Sequence, residues 1–425
     1  MIRLSDIYNF LITVLLLLLP IGAMPGTGYI DEVMFVSFLA ITFGDCLINN
    51  AWKRYKLLWC IMGIMGFYLA YTLLFRNFNI TKVVLLDAFI EAKPFVAFAV
   101  ILNCGLSLDN LNRNLLKHLS ALIATISSIE MLAGYRVQTT ISGHPAFAGM
   151  SLFLAVILYL ALAIDAQGKI SRKDLAFSVI WLCCGLACGR SKYYGEFILT
   201  IFFIFLYRPG MLKMVKPGYV ATLILLSVIL IAAIWHKFSY YFILGNSDTF
   251  DPNMAASFAR PALYFTGFLI LLDYFPFGSG LASFATYASD VHYSTLYYEY
   301  NLDKVWGLSP TYSEFICDAY YPSLAQFGVV GLILFICFWR YIYNITLRFI
   351  HINAALYRNY FVIGTLLICF VLIECTTGTG FSTAPGFMAM IILGLICRKA
   401  IDVSTQATDN TIPLEKNEKT KRITI

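Results

Sequence analysis

Charge is what this sequence lacks most. Only 13% of its 425 residues are Asp, Glu, Lys or Arg, about half the share that a soluble domain carries. An ordinary soluble fold is thereby excluded. Also missing are a Walker loop, a Gly-x-Gly-x-x-Gly turn after a strand, a His-Glu-x-x-His helix and a paired Asp-x-Asp. ATP use and a metal-dependent mechanism therefore have no support, and no metal or other cofactor is expected. The eleven cysteines lie almost all inside apolar runs (Cys46, Cys60, Cys104, Cys183, Cys184, Cys188, Cys337, Cys369, Cys397). They read as small buried hydrophobes rather than a disulfide framework or a metal site. No internal repeat is visible. The net charge of +6 comes from loop lysines and arginines that orient the chain, and it implies no nucleic-acid partner.

What is abundant is apolar sequence, 60% of the residues, in runs of about 20 that suit membrane-crossing helices. The expected fold is an all-α polytopic integral membrane protein with about twelve spans. They fall near 7–24, 33–48, 57–75, 84–104, 116–134, 146–165, 175–189, 194–208, 218–235, 322–343, 360–376 and 384–397. The first run follows a single Arg3 without a small-x-small cleavage site, and reads as a retained helix rather than a signal peptide. A cytoplasmic N-terminus puts 21 of the 30 Lys and Arg residues inside and nine outside, the bias the positive-inside rule favours. Residues 1–400 then form the membrane domain, with both termini cytoplasmic. Residues 236–321 form one large external loop between the ninth and tenth spans, rich in tyrosine. Residues 401–425 are polar and aperiodic, the pattern of a disordered basic tail.

The apolar stretch 261–275 is short for a crossing. Letting it cross would also put Arg340, Arg348 and Arg358 outside and Glu299, Asp303 and Glu314 inside. It reads as an interfacial or re-entrant helix within the loop. In the fourth span Asp87 and Glu91 share a helix face and look like the only intramembrane charge pair. Either they line a polar cavity in the bundle or they lie at the outer interface.

Outside charges are scarce, so each one counts. Arg190 and Lys192, followed by Tyr193, come after the seventh span, and Arg260 heads the interfacial helix. An arginine at a lipid–water boundary suits a phosphate-bearing lipid, and it equally suits anchoring by snorkelling. The turn 275–280 (FPFGSG) holds Pro276, Gly278 and Gly280, which permit close ligand approach or a plain loop corner. Glu314 and Asp318 are four apart and share a face near the membrane. Either could act as general base for a hydroxyl, or both could complement a helix N-terminus. His292 and His144 are external imidazoles, each a base or simply solvated. The tyrosines, Tyr320 among them, suit sugar stacking or an aromatic belt.

These pieces together resemble the O-antigen polymerase and O-antigen ligase superfamily. Arg190-Ser191 is similar to its Ser-Arg-type motif. Residues 260–284 are similar to its arginine, helix, Asp-x-Pro-Leu-x-Gly-x-Gly signature, and 317–331 to its His-Asn, Tyr, Leu and Gly-x-x-Gly segment. By motif the resemblance covers about 190–331, and by topology most of the chain. It implies a glycosyltransferase of the bacterial cytoplasmic (inner) membrane acting on undecaprenyl-diphosphate-linked glycan. The acceptor hydroxyl would attack the anomeric carbon while the lipid diphosphate leaves, without a metal. Arg190 and Arg260 would hold that diphosphate, Gly278 and Gly280 would shape the loop over the site, and Lys192, Tyr193, His292 and Tyr320 would contact substrate. A chain-length regulator and a flippase of the same pathway are the implied partners.

One departure matters. Where the family's ligases carry histidine this chain has Cys317 and then Asp318, which leaves Asp318 or Glu314 as substitute bases and favours a polymerase over a ligase. A lipid-linked glycan transporter is the alternative of another class, though such proteins show two related halves with midplane polar sites.

Overall fold

The computed structural model describes residues 4–19, 29–106, 108–109, 111–209, 228, 235, 239 and 258–421, with side chains through 407. The expected ninth span and the first part of the loop, through residue 257, lie almost wholly outside the described residues. Every regular element among those described is a helix. They are α1 (Leu4–Leu18), α2 (Ile30–Asn49), α3 (Lys56–Phe75), α4 (Thr81–Asn103), α5 (Arg113–Ala133), α6 (Tyr135–Ile141), α7 (Pro145–Ala163), α8 (Arg172–Gly185), α9 (Ser191–Ile201), α10 (Ala259–Asp273), α11 (Gly328–Glu374) and α12 (Ala384–Lys421), with short turns between them. Lys56–Phe75, Arg113–Ala133, Pro145–Ala163 and the stretch Tyr320–Glu374 are long and apolar enough to cross a membrane. The protein is thus a helical bundle of membrane type.

Burial separates centre from periphery. Nearly the whole of α7, from Ala148 through Leu162, is buried, as expected of a helix that is apolar all round and sits inside a bundle. By contrast α3 buries only Leu58, Ile61, Tyr68 and Thr72, a stripe at helical spacing. Its other faces expose Met62, Phe67, Leu73, Leu74 and Phe75, an outward-apolar pattern that suits lipid contact. The most extensive helix contacts are α5 on α7, and α12 on both α4 and α11.

At 47 residues, a straight α11 would reach about 70 Å, more than twice a bilayer core of about 30 Å. It breaks at Asn353 (φ −157°, ψ 95°). The Asn353 side-chain oxygen accepts from Ala355 N and Leu356 N, both at 3.1 Å, and so caps the second half. Phe349 stacks on Tyr360 at 5.5 Å and Gly364 lies under Thr346, so the halves fold back as a hairpin. The two spans expected at 322–343 and 360–376 are therefore arms of one broken helix, whose connection stays helical. At the C-terminal end α12 continues as helix to Lys421, where the sequence suggested irregular chain.

The described part of the loop is a small structural unit. Ala262, Leu263 and Ile270 of α10 join Phe284, Leu296, Tyr297, Leu302, Leu308 and Ile316 in a second hydrophobic core. Tyr297 is fully buried, and its hydroxyl accepts from Ala285 N and bonds Ser289 Oγ, both at 2.8 Å. This unit is riveted to the ends of α3 and α4. Asn79 donates to the carbonyls of Ala282 (3.0 Å) and His292 (2.8 Å), and Leu281 N donates to Thr72 Oγ1 at 2.8 Å. Asp87 Oδ2 accepts from Ala282 N at 2.7 Å, and Tyr320 donates to Glu91 at 3.0 Å. Asp87 and Glu91 are both buried, and both hold the loop in place.

Candidate functional site on the loop-bearing rim

The loop end of the bundle collects the charged residues singled out above. After α8, the turn Leu186–Cys188 leads to Gly189, whose φ of +67° only glycine adopts freely. The chain then swings so that Arg190 sits just ahead of α9 and Lys192 in its first turn. Lys192 Nζ pairs with Glu374 at the end of α11 and donates to Thr377 O at 2.5 Å. Arg260, at the start of α10, pairs with Asp318. Asp318 O in turn accepts from Gly378 N at 2.6 Å, and Tyr264 donates to Thr376 O at 2.8 Å. Four distant stretches thus meet around residues 374–378.

The same convergence governs the electrostatics. Burial pushes the Asp318 carboxyl above its ordinary pKa of 3.8, while Arg260, Lys192 and Arg190 pull the other way. These three cations lie among three acidic residues, Asp318, Glu374 and, beneath Lys192, Glu196. Of the three cations, Arg190 has no carboxylate partner among the described residues. Its guanidinium instead lies 2.9 Å from Nε2 of His144.

Beside this cluster is a cavity of about 680 Å³, lined among others by Glu32, Glu91, Lys93, His144, Cys317 and Tyr320. Lys93 bonds both Asp31 and Glu32 at 2.5 Å. Burial raises the pKa of the Cys317 thiol, which keeps it protonated. The group standing where the resemblance implies a histidine is therefore no base.

The structure brings Arg190, Lys192, Arg260 and Asp318 together, with Tyr320 in the adjoining cavity wall. Glu314 is elsewhere, exposed and bonded to Tyr312 at 2.7 Å. His292 is exposed, and its carbonyl is engaged by Asn79. Tyr193 is buried between helices, its ring against Gly149 and Gly185 and its hydroxyl donating to Leu182 O at 3.1 Å. Gly278 and Gly280 mediate packing: a Cβ on Gly278 would lie 2.3 Å from Gly328 N, and one on Gly280 2.9 Å from Thr72 Oγ1. Their place in the fold is a backbone crossing rather than a cover over the cluster.

Sequence reasoning missed Glu374 and Glu196, two acids near enough beneath Lys192 to feel each other's charge. Asp87 and Glu91 are thus not the only carboxylates buried together in the bundle. The signal was available, since each is an acid inside an apolar run, where it is costly without a partner. No model of a known family matches this chain, and no curated protein matches it.

Proposed function

We propose that this protein is a glycosyltransferase of the bacterial inner membrane that polymerises undecaprenyl-diphosphate-linked repeat units of O-antigen, capsule or exopolysaccharide. One observation carries the reading: Arg190, Lys192 and Arg260 converge around Asp318 beside a cavity large enough for sugar residues. Preorganised cations at a rim between apolar helices suit a lipid diphosphate leaving group, whose charge grows as the glycosidic bond breaks. Arginine's planar fork bonds phosphate in pairs of charge-assisted hydrogen bonds.

In this reading the bundle has about twelve spans and cytoplasmic termini. The rim carrying Arg54, Arg113, Lys117, Arg358 and Lys399 faces the cytoplasm, as the positive-inside rule favours. The loop unit lies on the outer face, where α10, exposing Phe265, Phe268 and Leu272, rests at the interface. A flippase would deliver the lipid-linked unit, and a chain-length regulator would act on the product.

The acceptor hydroxyl attacks the anomeric carbon, and the bond from that carbon to the phosphate oxygen breaks with its electron pair leaving on the diphosphate. Arg190 meets that charge directly. Arg260 does so by exchanging the Asp318 carboxylate for phosphate. Deletion of the protein decides the class. Single repeat units on the final acceptor support polymerisation, whereas long chains stranded on the carrier lipid identify a ligase. Elongation by purified protein in detergent, without any gradient, excludes a transporter.

A further inference from the structure

The cavity beside the cations has an imidazole at its edge. His144 precedes Pro145 at the start of α7 and lines the cavity. Both its ring nitrogens face N–H donors: Ala146 N lies 3.2 Å from Nδ1, and the Arg190 guanidinium 2.9 Å from Nε2. A guanidinium only donates and a neutral ring has a single in-plane lone pair, so with Nε2 accepting from Arg190 the Nδ1 nitrogen carries the ring proton, and the 3.2 Å approach of Ala146 N is a contact rather than a hydrogen bond. Burial, Arg190 and Lys192 all hold the ring's pKa below its ordinary 6.5, so it is neutral at pH 7 and able to accept a proton.

The other charged and titratable groups around the cavity do not oppose this. Asp31 and Glu32 of α2 are bound to Lys93 of α4, and Glu91 accepts from Tyr320. Cys317 stays a thiol. No carboxylate hydrogen-bonds His144 among the described residues. The cavity also holds polar atoms in want of partners. Glu32 Oε2 and Oγ of Ser382, itself only 8% exposed, have no hydrogen-bond partner among the described residues, and sugar hydroxyls would satisfy both.

We propose that His144 Nε2 is the general base for the acceptor hydroxyl, and that Arg190 covers it until a lipid diphosphate draws the guanidinium away. The inference rests on the glycosyl-transfer reading above. Arg190 is the cation of the cluster that can turn to phosphate without breaking an ion pair, and in turning it uncovers Nε2. The acceptor O–H proton passes to Nε2 as the oxygen bonds the anomeric carbon. The bond from that carbon to the phosphate oxygen breaks, its electron pair staying with the diphosphate. The imidazolium then returns its proton to water as product leaves. Base and leaving-group site are thereby linked, so the base is exposed only when donor is present.

The test uses His144→Asn. Asparagine is as good a helix N-cap as any residue, so it keeps the start of α7 and removes the base. In purified full-length protein, elongation of lipid-linked glycan from the source cells should fall about 100-fold or more, with melting temperature and geranylgeranyl diphosphate binding retained. In wild-type protein with 15N-labelled histidine, geranylgeranyl diphosphate should move the His144 resonance and raise its titration midpoint, and Arg190→Gln should abolish that response. Should His144→Asn not fold, His144→Gln takes its place. Full elongation by His144→Asn means that the ring is only a cap, which overturns the base and leaves the glycosyl-transfer reading intact. A His144 resonance indifferent to the diphosphate overturns the cover by Arg190. Wild-type protein that binds the diphosphate yet never elongates glycan overturns the reading and the base with it.

Discussion

The two ends of the bundle are both polar, but they spend their polar groups differently. At the end away from the loop, several described charged groups close contacts between helix ends. Asp45 takes both Arg54 (3.1 Å) and Tyr55 (2.8 Å), and Asp174 takes Lys117 (3.1 Å) and Tyr159 (2.5 Å). Arg113 donates to the carbonyls that end α7, and Arg358 to those of Phe203 and Tyr207 in the turn that follows α9. These are terminal caps, and they consume charge where helices stop. At the loop end, residues from α9, α10, the loop and α11 crowd three cations together with Asp318, Glu374 and Glu196 beside an open cavity. One rim is finished, and the other is left with a cation facing a neutral imidazole. Clusters of perturbed charge of this kind gather at functional sites as well as in structural ion-pair networks.

The sharpest break of that comparison exchanges one arginine at each end for alanine. Arg260→Ala should abolish elongation, by about three orders of magnitude or more, with protein level intact. Arg54→Ala removes an ion pair whose arginine is half exposed, and should cost about 1 kcal/mol at most and leave elongation near wild type. The assay is transfer to lipid-linked glycan in detergent, with expression measured alongside. Long polymer made by Arg260→Ala would remove that arginine from the site.

Lys192 tests whether every cation of the loop rim serves a ligand. Its partner Glu374 is nearly buried, with a side chain 5% exposed, and lies near the Glu196 carboxyl. Lys192→Met leaves two acids together without a counter-charge, at a cost of about 3 kcal/mol. The melting temperature in detergent should fall accordingly, and Glu374→Gln in the same chain should restore much of it. Restored stability without restored elongation would give Lys192 both a structural and a phosphate-binding part. If Lys192→Met melts like wild type, the pair is not structural at all.

How far each end could be read beforehand follows from the physics of a membrane chain. Lipid demands about 20 apolar residues per crossing and tolerates few charges. The helices α3, α5 and α7 therefore stand out in sequence, and Arg190, Lys192, Arg260 and Asp318 stand out by rarity. The meeting of these four leaves no local spacing to detect, because it depends on residues 374–378 closing over α9 and α10. The loop's own core was equally hidden. Tyr297 inside that core and a tyrosine in an interfacial belt have the same composition signature, and only burial separates them. Gly278 shows the same ambiguity: two glycines in a turn permit a ligand or a backbone crossing, and here Gly328 fills the space. His144 was one imidazole of two by sequence. Its place beside Arg190 distinguishes it from His292.

The smallest effect is a matter of sign, and it separates the rims without any substrate. The pKa of His144 is lower in the folded protein than its ordinary 6.5, through burial first and then Arg190 and Lys192. The unfolded chain therefore binds this proton more readily than the folded one. The stability that follows is present above pH 6.5 and is lost as pH falls through the folded-state pKa. Melting temperature measured from pH 7.5 downward should thus drop more steeply for wild-type protein than for His144→Asn, which has no proton to take up. Arg190→Gln should recover part of the difference, since it removes one of the charges that resist protonation. Parallel curves for wild type and His144→Asn would mean that the ring is free to charge in the folded state, and with that the loop rim would lose the feature that most sets it apart from the finished one.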